Sequence, residues 1–252
     1  MITPLLDAET IDAKGAARIV ERMIDAGVVG IFILGTTGES QSLPMRMRFD
    51  YVELVARLIN GRVPMMVGIS DTSLEDSLAL ARHAGKCGAA AVVSAPPYYF
   101  PANQKELIDW YTALADASPV PVFLYNMPSK VKVFLNVPTV LTLSKHPNII
   151  GVKDSSGNQS YFQSLLLHFS GTDFAVYMGP EEQMVPAVLS GADGGVSGGA
   201  NLFPELFVKA YKAAAASDVV KSKEYLKKIM FLSDSLYGLE PGSDMSFVKS
   251  IK

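Results

Sequence analysis

The sequence predicts an α/β protein and, within that class, a (β/α)8 TIM barrel. Two observations carry this expectation. Short β-rich apolar runs alternate along the chain with longer amphipathic segments, and the polar residues able to do chemistry fall just after several of those runs. The apolar runs cover residues 28–34, 64–69, 89–94, 120–125, 149–153, 174–178 and 194–196. Strands buried on both faces read as continuous apolar runs, as these mostly do. Helical patterns lie between them at 13–26, 44–60, 73–86, 104–117, 137–145, 160–168 and 181–190. Each leaves room for the helical crossover that joins parallel strands. An eighth βα unit begins with residues 2–3.

Local signals agree with this order. Ser73 precedes a helical run with Asp76 three residues on, close to a capping box. Pro44 sits where a first helical turn tolerates proline. Gly27, Gly61 and Gly88 follow helical runs, where a left-handed residue often closes a helix. Pro101, Pro119 and Pro121 fall in connections. No linker, low-complexity tract or internal repeat interrupts the alternation.

The competing architecture is an open doubly wound sheet. A dinucleotide-binding sheet should show G-x-G-x-x-G after an early strand, and Gly35-Thr36-Thr37-Gly38 does not have that spacing. Barrels place their chemistry at the carboxyl ends of several different strands. Here Gly35 to Glu39, Pro97 to Tyr99, Tyr125-Asn126, Lys153-Asp154 and Gly179 all follow that rule.

Composition narrows the function. The chain has 252 residues, 49% of them hydrophobic, enough for a sizeable core. Its formal charge of −3 comes from 22 basic against 25 acidic residues, with no long run of either sign, so nothing points to nucleic acid or an anionic membrane. Cys87 is the single cysteine, which rules out an internal disulfide and a cysteine-based zinc site. His83, His146 and His168 are too dispersed for metal-ligand spacing, and no metal site is expected. There is no export signal and no run approaching the ~20 apolar residues of a membrane span. A cytoplasmic protein is expected.

Lys153 is the sharpest clue to chemistry. It closes the apolar run Ile149-Ile150-Gly151-Val152 and precedes Asp154-Ser155-Ser156-Gly157. A lysine among the apolar walls of a barrel mouth is partly desolvated, which disfavours the ammonium. A neutral amine can attack a ketone to give an imine, an electron sink. The plainer alternative is a strand-end lysine reaching into solvent. In Gly35-Thr36-Thr37-Gly38-Glu39, paired glycines let the backbone approach a ligand, successive N–H groups can cradle an anion, and threonine hydroxyls add donors. An ordinary strand-to-helix turn would look similar. Tyr125, in Tyr125-Asn126-Met127-Pro128, could shuttle a proton if a nearby lysine lowered its pKa, or could be a packed core tyrosine. Tyr98 and Tyr99 suit a packing role at a subunit interface. One amine, two phenols, a threonine pair and a glycine-rich nest at successive strand ends together form a set suited to aldol chemistry.

These residues resemble those of the dihydrodipicolinate synthase / N-acetylneuraminate lyase superfamily of class I pyruvate-dependent aldolases. The matching segments are Thr3-Pro4, Gly35-Thr36-Thr37-Gly38-Glu39-Ser40, Pro97-Tyr98-Tyr99, Leu124-Tyr125-Asn126-Met127-Pro128 and Ile150-Gly151-Val152-Lys153-Asp154. They occur in the family's order and span essentially the whole chain. The resemblance implies that Lys153 forms the Schiff base and that Tyr125 moves protons on the bound intermediate. It implies that the backbones of Thr36 and Thr37, beside Gly35, hold the pyruvate carboxylate, with the Thr36 hydroxyl in the relay. Tyr99 would complete that relay across a dimer interface, and Gly179 and Val196 would border the pocket. No metal or dissociable cofactor is implied, since the covalent imine on Lys153 does the work. The implied partners are pyruvate or another 2-oxo acid and an aldehyde, with a homodimer or homotetramer as the assembly.

The departures from the family pattern set the expected substrate. The synthases carry an arginine where this chain has Lys130, which keeps the charge and loses the bidentate fork. They carry Glu-Ala after the lysine, whereas Asp154-Ser155-Ser156 is closer to the sugar-acid aldolases and lyases. Met45, Thr72 and Asp76 stand where many synthases have the residues of their lysine-feedback site. The expected reaction is therefore formation or cleavage of a C–C bond between pyruvate and an aldehyde, with a 2-keto-3-deoxy sugar acid as leading substrate. Condensation of pyruvate with aspartate semialdehyde is the alternative. A dehydratase using the same imine is not separable on sequence, and a non-catalytic 2-oxo-acid-binding barrel is the alternative of another class. The family pattern further implies a barrel over residues 1–215 and the start of a C-terminal helical extension over 216–252. Its first strand and its C-terminal helical region are expected to be shortened here, with omission of residues at both ends as the expected cause.

Overall fold

The computed structural model describes residues 1–237 and 246–252. Residues 238–245, part of the predicted 216–252 extension, lie outside the described residues. A short antiparallel hairpin, β1 (Leu5–Asp7) and β2 (Thr10–Ile11), precedes helix α1 (Ala13–Asp25). Seven parallel strands then alternate with helices: β3 (Ile31–Ile33), α2 (Met45–Ile59), β4 (Met65–Gly68), α3 (Leu74–Lys86), β5 (Ala91–Ser94), α4 (Gln104–Ala117) and β6 (Val122–Asn126). The short α5 (Pro128–Val131) and α6 (Val137–Leu143) lead to β7 (Ile149–Asp154), α7 (Gln159–Phe169), β8 (Ala175–Met178), α8 (Met184–Leu189) and β9 (Gly194–Gly195). Three helices follow: α9 (Pro204–Ala215), α10 (Val219–Leu236) and α11 (Ser246–Ile251). The sheet runs β3-β4-β5-β6-β7-β8-β9, every neighbour parallel and consecutive in sequence, as in the predicted (β/α)8 barrel.

Several helix starts have a chemical cause. Asp12 accepts the Gly15 amide at 2.8 Å, and Ser73 accepts the Asp76 amide at 3.2 Å. Asn103 and Glu106 form a full capping box on α4, which the sequence reading passed over. Pro44 takes the cap position itself, one residue earlier than expected, because its ψ of 150° is extended. The predicted helix over 181–190 divides into a 3-10 turn at Glu181–Gln183 and then α8. Pro186 has no N–H and its ring collides with a carbonyl four residues back. An α-helix that starts at Met184 leaves that proline in its first turn.

Residues 2–3 form no strand ladder, although the sequence reading made them a strand stub. Side chains hold them instead: the Ile2 amide donates to Asn201 Oδ1 at 2.8 Å, Tyr51 donates to the Ile2 carbonyl at 2.7 Å, and Thr3 donates to the Gly38 carbonyl at 2.7 Å. The hairpin β1–β2 was also not anticipated, since strands this short and exposed show no apolar periodicity.

The apolar residues divide into two clusters. The larger fills the space within the strand ring and between it and α1 to α7. The smaller joins α8, α9 and α10 through Val185, Phe207, Ala210 and Ile229. Glu181 sits at its edge, 3% exposed, accepting from the Gly199 amide at 2.6 Å and from the Tyr237 hydroxyl. Burial pushes its carboxyl up to about 7 despite these donors.

The folded state thus keeps a proton on Glu181 that the unfolded chain, titrating at the ordinary carboxyl value of 4.5, has released. Stability from this group is full below that lower value and is lost as pH rises through about 7. At ~1.4 kcal/mol per pH unit the loss is about 3 kcal/mol. Urea denaturation at several pH values should show this decline, and Glu181→Gln, with the Tyr237 hydroxyl free to turn and accept, should flatten it. An unchanged slope in the variant would assign the decline to other groups.

Candidate active site

The site begins with the register of β6 on β7. Val122 pairs with Ile149, but Phe123 pairs with Gly151, so Ile150 has no opposite number and the register slips by one residue. A one-residue slip exchanges the faces of a strand. Beyond it Lys153, rather than Val152, lies opposite Tyr125, and Lys153 in turn pairs with Tyr177 on β8. Gly151 is required beside the slip, because a Cβ there would lie 2.6 Å from the Ala175 carbonyl oxygen and against the Phe123 ring.

Lys153 is buried, 9% exposed, so the solvent-reaching alternative does not hold. Its Nζ lies 4.3 Å from the centroid of the Tyr125 ring and 5.3 Å from that of Phe32. The Tyr125 hydroxyl is 3.1 Å from the Thr36 hydroxyl. Burial pushes the Tyr125 phenol up, but the positive charge of Lys153 and hydrogen bonds from Thr36, Ser155 and Lys153 outweigh it and hold the phenol below its ordinary value. An amine, a phenol and a hydroxyl are thus gathered from three strand ends, as the sequence predicted.

Gly35 and Gly38 shape the turn that carries Thr36. Gly38 donates to the Gly35 carbonyl at 3.0 Å and Glu39 to the Thr36 carbonyl at 3.1 Å, leaving Thr36 and Thr37 half-buried at the barrel mouth. Gly179 donates to the Asp154 carbonyl at 2.7 Å, and Val196 to the Met178 carbonyl at 2.8 Å, so both extend the ladder just past β8 and β9. A Cβ on Gly179 would lie 2.9 Å from Ser155 Cβ, so that position admits only glycine. Lys130 is exposed on α5, immediately after β6.

Tyr99 is not brought to this cluster. It sits on the loop after β5 with φ 82°, 85% exposed, edge-on to Phe100 at 5.0 Å. A groove of about 770 Å³ runs beside that loop, lined by Tyr98, Tyr99, Phe100, Glu106 and Trp110, rather than over Lys153. Among the described residues no three of His, Cys, Asp and Glu gather as metal ligands, and no helix is long and apolar enough to cross a membrane.

Sequence reasoning missed three supports. Ser155 helps hold the Tyr125 phenol below its ordinary value, and Phe32 walls the amine. Asp154, 1% exposed, accepts from Asn126 Nδ2 at 2.9 Å, from the Ser156 amide at 3.1 Å and from the Ser156 hydroxyl at 3.0 Å, while Asn126 Oδ1 takes the Leu135 amide at 3.1 Å. Burial pushes the Asp154 carboxyl up, against those bonds from Ser156 and Asn126. The signal was present in Asp154-Ser155-Ser156, whose serines the sequence reading used to separate branches of a family without giving them a role at the site.

With this geometry in view, the chain matches the dihydrodipicolinate synthetase family over residues 1–245. It belongs to that family. A probable 2-dehydro-3-deoxy-D-pentonate aldolase of Escherichia coli is 31% identical over 92% of this chain and 77% of its own. The solved dihydrodipicolinate synthase of Bacteroides thetaiotaomicron superposes with a TM-score of 0.96 at 44% identity, covering 100% of this chain and 84% of that one. A prophage protein of the dihydrodipicolinic acid synthase family from E. coli, solved in complex with pyruvate, superposes at 0.92 with 30% identity, covering 99% and 84%.

Thr36→Val and Ser155→Ala each remove a hydrogen bond that favours the Tyr125 phenolate, so the phenol should titrate at higher pH in either variant. The rise should be larger in Lys153→Met, which deletes the greatest favourable cause. Ultraviolet difference titration against a Tyr125→Phe blank measures each shift, and no upward shift would mean these groups do not hold the phenolate.

Proposed function

We propose that this member of the dihydrodipicolinate synthetase family is a class I aldolase that joins or cleaves a C–C bond between pyruvate and an aldehyde through an imine on Lys153. The observation that carries this reading is the buried lysine amine packed on the ring of a tyrosine that is itself hydrogen-bonded to Thr36. The amine adds to the C2 ketone of pyruvate and water leaves, giving the imine. Tyr125, whose phenol is held below its ordinary value, accepts a proton from the methyl group and the bonding pair becomes an enamine. The enamine carbon attacks the aldehyde, and the new alkoxide takes a proton back through Tyr125 and Thr36. Water then releases the product from Lys153, and cleavage runs the same steps in reverse.

In this scheme the backbones of Gly35, Thr36 and Thr37 hold the pyruvate carboxylate, and those of Gly179 and Val196 border the reacting carbons. Lys130 attracts the anionic end of the second substrate. Tyr99 acts on a partner subunit's relay, which fits its exposure in one protomer and makes a homo-oligomer the working form. Pyruvate as the imine-forming substrate is supported by the pyruvate complex of the E. coli relative. A 2-keto-3-deoxy sugar acid leads as cleavage substrate, supported by Lys130, by Asp154-Ser155-Ser156 and by the likeness to the pentonate aldolase. Condensation with aspartate semialdehyde is the second reading, favoured by the 44% identity to the B. thetaiotaomicron synthase.

Incubation with pyruvate and borohydride should add the mass of reduced pyruvate to the protein and leave Lys153→Ala unmodified. Tyr125→Phe should still be trapped while kcat/KM falls on the order of 10²–10⁴-fold. Assay with a 2-keto-3-deoxy acid and with aspartate semialdehyde then assigns the aldehyde. A folded protein that takes up no adduct would return the chain to the reading of a binding barrel.

A further inference from the structure

Leu34 connects β3 to the turn that carries Thr36, and its backbone is left-handed, φ 56°, although it is a buried leucine. Residues with a Cβ rarely adopt that conformation, and it persists only where the surroundings over-determine it. Two glycines supply the surroundings. A Cβ on Gly38 would stand 3.0 Å from the Leu34 nitrogen and 3.1 Å from its Cα. A Cβ on Gly68, at the end of β4, would fall on the Leu34 carbonyl oxygen, 2.6 Å from the carbonyl carbon and 3.2 Å from the Gly35 nitrogen. The register sets this approach, since Ile33 pairs with Val67 and the next residue of each strand is Leu34 and Gly68. The Leu34–Gly35 peptide therefore passes between two side-chain-free positions. The reversal it makes there turns the chain back so that the Thr36 hydroxyl meets the Tyr125 phenol at 3.1 Å.

We propose that Gly68 is a positioning residue for proton transfer. By lacking a side chain it leaves the space in which Leu34 turns left-handed and aims Thr36 at Tyr125. This rests on the reading of Thr36 and Tyr125 as a relay. Gly68 itself touches no reacting atom, and Lys153 lies on β7, which does not pair with β4.

The test compares Gly68→Ala with the unmutated protein in three measurements. The borohydride adduct with pyruvate should form in both at saturating pyruvate. Exchange of the pyruvate methyl protons for solvent deuterium should fall on the order of 10–10²-fold, the usual cost of a misplacement of about 1 Å. The Tyr125 phenol should titrate at higher pH, as in Thr36→Val. Adding Gly68→Ala to Thr36→Val should cost little more than Thr36→Val alone, because both act on one hydrogen bond. Fully additive losses, or normal exchange and phenol titration in folded Gly68→Ala, would overturn the role of Gly68. If Gly68→Ala does not fold, Leu34→Met and Leu34→Val decide. Unbranched methionine should keep exchange within about threefold, while β-branched valine, which opposes the left-handed backbone, should lose it. Equal behaviour of those two variants would also overturn the proposal. A missing adduct in the unmutated protein counts against the imine reading, whereas the phenol titration still judges Gly68 by itself.

Discussion

The site depends on one contact, the buried amine of Lys153 against the ring of Tyr125, and that contact exists because β7 carries one residue more than β6 across their pairing. In a regular ladder Val152 would oppose Tyr125 and the lysine would point into the helical layer. The slip at Ile150 places the amine in the barrel instead. The contact also decides the state of the phenol. A fully buried tyrosine should hold its proton more tightly than one in water, yet Tyr125 lies below its ordinary value. The charge of Lys153 is the first of the causes that lower it, ahead of the hydrogen bonds.

Around this pair the structure devotes buried polar groups to holding backbone in place. Asp154 is nearly inaccessible, and its partners are Asn126 and Ser156. The Ser155 amide donates to the Asn126 carbonyl at 2.8 Å, which adds a further tie between the ends of β6 and β7. An unpaired carboxylate at that depth would be costly, so satisfaction of Asp154 and orientation of Lys153 and Ser155 are accomplished by the same bonds. Glycines do the complementary work. Gly151, Gly179 and Gly68 each stand where a Cβ would meet fixed neighbouring atoms, and each borders an element that presents a reacting group.

The loop bearing Tyr99 follows a different logic. It carries two exposed aromatics packed edge to face, with Tyr99 on a left-handed backbone. The outer end of the molecule has a separate core linking α8 to α10, to which Glu181 and Tyr237 are tied.

The sequence by itself determined the architecture and singled out the candidate reacting groups. Continuous apolar runs mark strands buried on both faces, amphipathic runs mark their covering helices, and a lysine, a tyrosine and a threonine pair at the carboxyl ends of three strands share one mouth in any closed parallel barrel. Those features are local, and local patterns survive in a linear reading. The strand slip at Ile150, the left-handed Leu34 and the engagement of Ser155 with Tyr125 were decided only by the tertiary structure, as was the side-chain anchoring of residues 2–3 by Tyr51 and Asn201. Each depends on atoms brought together from distant parts of the chain. An unmatched isoleucine looks like any other strand residue until its partner strand is beside it, and a glycine on β4 declares its purpose only when the carbonyl of Leu34 occupies the space its side chain would have taken.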